Sequence, residues 1–97
     1  MTTTTRVILP GLLRDLVGGI GELEVPADHG GQTVGQLLDA AFREHRILDG
    51  KVRDERGLLR PHVKVFVNGE DVSRAEGLAT TVPPGARVHI INAVSGG

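Results

Sequence analysis

Along this chain apolar and polar positions alternate in several stretches and recur with helical spacing in one. Thr5–Leu9 (TRVIL) is a short β-rich run that stops at Pro10-Gly11, a turn signal. Leu12–Gly21 (LLRDLVGGIG) begins apolar and ends rich in glycine, which predicts an irregular connection or a wide hairpin loop. Glu22–Val25 alternates and is closed by Pro26, so a second strand should pair with the first as a hairpin. Val34, Leu37, Leu38, Ala41 and Phe42 then form one apolar stripe of helical period. Thr33 stands at the N-cap and Gln36 at capping-box spacing, predicting a helix from Val34 to about Glu44. Arg46–Pro61 is the least regular stretch, with turn signals at Asp49-Gly50 and Glu55-Arg56-Gly57. Its Ile47, Leu48, Val52, Leu58 and Leu59 should dip back onto the core edge. His62–Val67 is the strongest strand and runs into Asn68-Gly69, the favoured two-residue hairpin turn. Glu70–Val72 returns briefly, and Gly77–Thr80 reads as a single helical turn or loop. Pro83-Pro84-Gly85 makes a rigid turn, Arg87–Ala93 is the last strand, and Val94–Gly97 is a flexible tail.

Strands flanking one helix predict an α+β fold. The N- and C-terminal strands are the natural central, parallel pair. With hairpins outside them, the result is a β-grasp (ubiquitin-like) mixed sheet of four to five strands, with one main helix packed on one face. A ferredoxin-like arrangement would need a second helical stripe, which the pattern lacks. Val63, Val65 and Val67 share one strand face, as do Val88 and Ile90, and should meet the helix. The other face shows His62, Lys64, Phe66, His89 and Ile91. Phe66 and Ile91 would form an apolar spot beside Lys64 and His89, as a partner-docking surface does. The alternative is that Arg46–Pro61 folds over it.

Composition narrows the function classes. At 97 residues and 10.3 kDa the chain is one domain, residues 1–97. Eleven basic against twelve acidic side chains argue against a nucleic-acid or anionic-membrane binder. The absence of cysteine excludes thiolate catalysis and Cys-ligated metal. No apolar run approaches the roughly 20 residues of a membrane span, and Met1 is followed by threonines rather than a secretory leader, so a cytoplasmic location is expected. His29, His45, His62 and His89 show no ligand spacing and read as surface or rim residues, so no metal site is expected. Glu70-Asp71 at a hairpin tip reads as a solvated acidic patch. The glycine clusters lack the strand-to-helix setting of a phosphate cradle and read as turns. The basic residues between Arg43 and Arg60 are interleaved with Glu44, Asp49, Asp54 and Glu55 as a mixed-charge face. No catalytic side chain stands out.

One reactive group remains. Ala93-Val94-Ser95-Gly96-Gly97 follows directly from a core strand, and two residues without Cβ make a thin strip that can enter a narrow active site. The strip presents the α-carboxylate of Gly97.

Val63–Val72 (VKVFVNGEDV), Gly77–Thr80 (GLAT), Pro84–Ile91 (PGARVHII) and this tail, with Ile8-Leu9-Pro10, Leu12-Leu13-Arg14 and Gly18-Gly19, resemble the MoaD/ThiS family of ubiquitin-like sulfur-carrier proteins. Within it they are similar to the CysO-type carriers of actinobacterial cysteine biosynthesis. The connection Arg46–Pro61 is longer than in the compact thiamine carriers. The resemblance implies a protein cosubstrate and not an enzyme. It implies that an E1-like enzyme, using ATP and Mg²⁺, adenylates Gly97, and that a sulfur donor converts it to a thiocarboxylate. Gly97 would be the sulfur-bearing position, Gly96 the second tail glycine, and Ser95 and Val94 the rest of the arm. The carrier itself would hold no cofactor. Its partners would be the activating enzyme, a sulfur-accepting synthase, and a protease that trims the tail or releases product. The acceptor would be an activated serine derivative on a cysteine synthase, or in other branches a pterin, a thiazole precursor or a secondary metabolite. Two further readings stand beside this one: the small subunit of a molybdopterin-synthase-like complex, and a non-conjugating ubiquitin-like interaction module.

Overall fold

A computed structural model describes residues 4–26 and 32–92. In chain order the elements are β1 (Thr4–Ile8), α1 (Gly11–Arg14), β2 (Glu22–Pro26), β3 (Gln32–Thr33), α2 (Val34–Ala41), α3 (Arg46–Val52), β4 (Val63–Val67), β5 (Glu70–Asp71), β6 (Thr81–Val82) and β7 (Arg87–Asn92). Short 3₁₀ turns lie at Asp15–Val17, Val72–Arg74 and Gly77–Ala79. The main sheet has the order β2-β1-β7-β4-β5. Its centre is the parallel pair β1–β7, with Arg6 opposite Arg87, Val7 opposite Val88 and Ile8 opposite His89. Every other pairing is antiparallel. This is the mixed β-grasp sheet that the strand pattern predicts, with α2 as its main helix.

The local chemistry explains the turns and caps. Thr33 Oγ1 accepts from the Gln36 backbone N–H, and the Gln36 side chain accepts from the Thr33 N–H, closing the capping box. Asn68 and Gly69 both take positive φ, +49° and +88°, as a two-residue turn in the right-twisted hairpin requires. Asn68 Oδ1 also accepts from the Arg87 N–H at 2.9 Å, tying the turn to β7.

The core lies between one sheet face and the helices. Val7, Val65, Val88 and Ile90 from the sheet meet Val34, Leu37, Leu38 and Phe42 from α2 and the turn after it, all buried. Three expectations need correction. The helix ends at Ala41 rather than near Glu44, because Phe42 already leaves helical geometry at φ −97°, ψ 8°. Leu12–Gly21 is not irregular at its start: α1 forms there, since turning inward buries Leu13. Arg46–Pro61 begins with a true helix, α3, whose Leu48 and Val52 lie on one side and enter the core. Arg53 staples that helix in place through Asp49 at 2.7 Å and Asp39 at 2.8 Å. Partial burial works against its charge, but the hydrogen bonds to both carboxylates outweigh that and hold its pKa above the ordinary value. The β3–β6 ladder, two residues a side, was not foreshadowed by the pattern.

Because Leu48 and Val52 share the core with Val63 and Val65, the long connection packs on the helix side and leaves the opposite face open. Leu48→Ala should cost roughly 2–5 kcal/mol, as truncation of a fully buried leucine does, whereas Ile47→Ala, on the exposed side of α3, should stay within about 0.5 kcal/mol. Denaturant unfolding measures both, and equal costs would contradict the packing of α3.

Candidate functional site

The open sheet face is set by strand alternation and by register. In β4 the residues Val63, Val65 and Val67 point into the core, which leaves Lys64 and Phe66 outward. In β7 Val88 and Ile90 point inward, which leaves His89 and Ile91 outward. Lys64 stands directly opposite Ile91, and Phe66 opposite His89, so the four outward residues make a two-by-two block on neighbouring strands. Phe66 is half-buried and Ile91 is 45% exposed. Register extends the block in both directions: Ile8 of β1 faces His89, and Asp71 of β5 faces Phe66. Arg87, two residues before His89, shares the face by alternation alone, whereas Ile8 and Asp71 join the block only once the strand order is known.

Beyond Phe66 the face opens into a groove of about 660 Å³ lined by Lys64, Phe66, Gly69, Glu70, Asp71 and Arg74. Glu70-Asp71 is more than a solvated acidic patch. Asp71 Oδ1 accepts from the Ser73 N–H at 2.9 Å and the Ser73 hydroxyl at 2.8 Å, capping the 3₁₀ turn that follows. These bonds, with the nearby charges of Lys64 and Arg74, hold its carboxyl below the usual carboxylate range. At the other side of the sheet Arg6 binds Glu22 at 2.9 Å and Glu24 at 3.4 Å, so that edge neutralises itself. Lys64, Arg74 and Arg87 make no ion pair among the described residues. The face is therefore an apolar strip through Ile8, Phe66 and Ile91, dotted with cations.

β7 carries this face to its last residue and then runs into residues 93–97. Val94, Ser95, Gly96 and Gly97 lie outside the described residues, as does His29. At the root of the tail, Asn92 sits opposite Val63, and its Oδ1 is buried with no partner among the described residues. No three His, Asp or Glu side chains among the described residues converge as a metal-holding group. No described helix is long and apolar enough to cross a membrane.

A central parallel pair, a covered face and an open face in a mixed five-stranded sheet define a ubiquitin-like β-grasp protein. The chain belongs to the ThiS family, whose model matches residues 7–97. It is 31% identical over 93 residues to the sulfur carrier protein CysO of Mycobacterium tuberculosis, covering 94% of this chain and 96% of that protein. It superposes on SAMP1 from Haloferax volcanii with a TM-score of 0.80 at 30% identity, covering 97% of this chain and 99% of that one. A chain of the Amycolatopsis orientalis BexX/CysO complex matches with a TM-score of 0.78 at 31% identity, covering 96% and 99%. The protein is thus a member of a sulfur-carrier family and not itself an enzyme.

The depressed carboxyls fix the direction of the acid response. A carboxylate whose folded pKa is lowered adds stability above its ordinary range near ~4, and that stability is lost as pH falls through the folded value. Asp71 is one such group, and Asp54, hydrogen-bonded by the Arg56 side chain, is a second. Asp71→Asn keeps an acceptor oxygen but cannot titrate, so unfolding measured across acidic pH should show a shallower loss of stability than the parent. Identical slopes would contradict the role given to Asp71.

Proposed function

We propose that this protein carries sulfur as a thiocarboxylate at Gly97 and delivers it to a biosynthetic enzyme. The observation that carries the reading is the family match extending to Gly97 on a chain without cysteine. Sulfur held by such a chain has no thiol to sit on, and an acyl group is the chemical alternative.

The chemistry follows from the carboxylate. As an anion it is a poor acyl donor, so a partner must first install a leaving group. Its oxygen attacks the α-phosphorus of ATP on an E1-like enzyme and expels pyrophosphate, with Mg²⁺ neutralising the phosphates. A hydrosulfide sulfur then attacks the acyl carbon and AMP leaves, giving the thiocarboxylate. Its sulfur is nucleophilic and displaces a leaving group from an electrophilic carbon held by the accepting synthase. Hydrolysis of the adduct, by a protease or related hydrolase, frees the product and restores the Gly97 carboxylate. An activated serine derivative bound to a cysteine synthase fits this role, in keeping with the likeness to CysO.

This chain contributes position rather than catalysis. Lys64, Phe66, His89 and Ile91, with Ile8 beside them, offer partners a landing surface continuous with the strand that becomes the tail. Val94–Gly97 serves as the arm, and Gly96 keeps it thin where it enters the partner's active site.

Incubation with the cognate activating enzyme, ATP and sulfide should give an intact-mass gain equal to one oxygen-to-sulfur exchange. The gain should vanish when Gly97 is deleted. Gly96→Phe should leave the thermal melt unchanged and abolish loading. An unmodified parent protein, or loading that survives loss of Gly97, would overturn the proposal.

A further inference from the structure

Three large apolar side chains lie exposed in the connection between β1 and β2, and folding gives no reason for them. Gly11–Val17 runs as one helical segment, α1 passing directly into the 3₁₀ turn. Its inward stripe is Leu13, which is buried, and Val17, which packs against the core. One position back around the segment stand Leu12 and Leu16, 56% and 41% exposed, and Ile20 follows at 40%. A surface helix that serves only the core carries polar residues there. The loop is also held in shape: Arg14 Nε donates to the Leu9 carbonyl at 3.1 Å, the Gly19 N–H donates to the Arg14 carbonyl at 2.8 Å, and the Leu9 N–H donates to the Gly21 carbonyl at 2.9 Å. Such fixed groups cost little ordering entropy when they bind.

Topology puts this ridge beside the root of the tail. β1 and β7 run parallel with Ile8 opposite His89, so β1 enters the loop at the same end of the sheet where β7 passes into residues 93–97. β4 starts at that end too, Val63 lying opposite Asn92. Five extended residues reach at most about 17 Å. An enzyme that draws Gly97 to ATP in its interior must therefore bring the rim of its cleft against this end of the body.

We infer that Leu12, Leu16 and Ile20 form an apolar collar that seats the rim of the adenylating enzyme's cleft, with Ile91 continuing it onto the sheet face. The inference rests on the thiocarboxylate reading of Gly97 and adds to it a second docking element, off the sheet, that sets how far the arm extends into the partner. The occupant is an apolar protein rim, because the collar presents hydrocarbon, and its removal from water is what binding gains.

The test uses the full-length protein and its cognate adenylating enzyme, with ATP-dependent pyrophosphate release followed against carrier concentration. Burial of two half-exposed leucines supports a rise in KM of about tenfold for the Leu12→Ser/Leu16→Ser double variant, with kcat held within about twofold. Ile20→Ser should shift KM less, in the same direction. Ala79→Glu, an exposed site at the end of the sheet where β7 begins, should leave KM unchanged. Thermal melts of the variants should match the parent, because none of these side chains is buried. An unaltered KM in the double variant, or an equal rise in Ala79→Glu, would overturn the collar while leaving Gly97 chemistry standing. A parent protein that supports no pyrophosphate release at all would remove the Gly97 reading and the collar with it.

Discussion

The parallel pairing of β1 with β7 is the constraint on which the rest of the molecule depends. A parallel pair cannot be closed by a hairpin, so everything between Leu9 and Ala86 acts as one long crossover that must return to the starting end of the sheet. That crossover supplies β2 on one flank, α2 and α3 over one face, and β4 with β5 on the other flank. β7 enters last, between β1 and β4, and both its edges are paired. The element nearest the tail is therefore the most enclosed strand of the sheet.

The two sheet faces divide the labour. The helices α2 and α3 are spent on one side, where Leu48 and Val52 of α3 extend the cover given by α2. The other side is left with an apolar strip, cations that make no ion pair among the described residues, and an acidic side chain already committed to a cap. Such a surface is too polar to serve as a core and too apolar to be idle, a balance suited to contacts that form and release. The helical loop between β1 and β2 adds exposed hydrocarbon at the end where the tail begins.

How much of this was legible in the sequence varies by residue. Thr33 with Gln36 and Asn68 with Gly69 each encode their structure within four positions, and both form as the local chemistry predicts. The central parallel pair was legible because both strands are apolar and sit at the ends of the chain. α3 was not, since its inward stripe is only Leu48 and Val52, Gly50 lies between them, and its staple to Asp39 comes from another helix. β3 and β6 escaped because two-residue strands carry no period, and only folding brings them together. For the site, alternation placed Lys64, Phe66, His89 and Ile91 outward, and the register makes them neighbours. Arg87 follows from the same alternation, while Ile8 and Asp71 needed the strand order, and Asp71 also needed its cap with Ser73.

Native-state hydrogen exchange tests most directly whether a locked central strand hands on to a free arm. The amides of Val88 and Ile90 should exchange only through global unfolding, tracking the stability from denaturant titration, while those of residues 95–97 exchange at the rate of an unprotected peptide. If the β7 amides opened well below the global free energy, or the terminal amides were protected like the strand, the account would be contradicted.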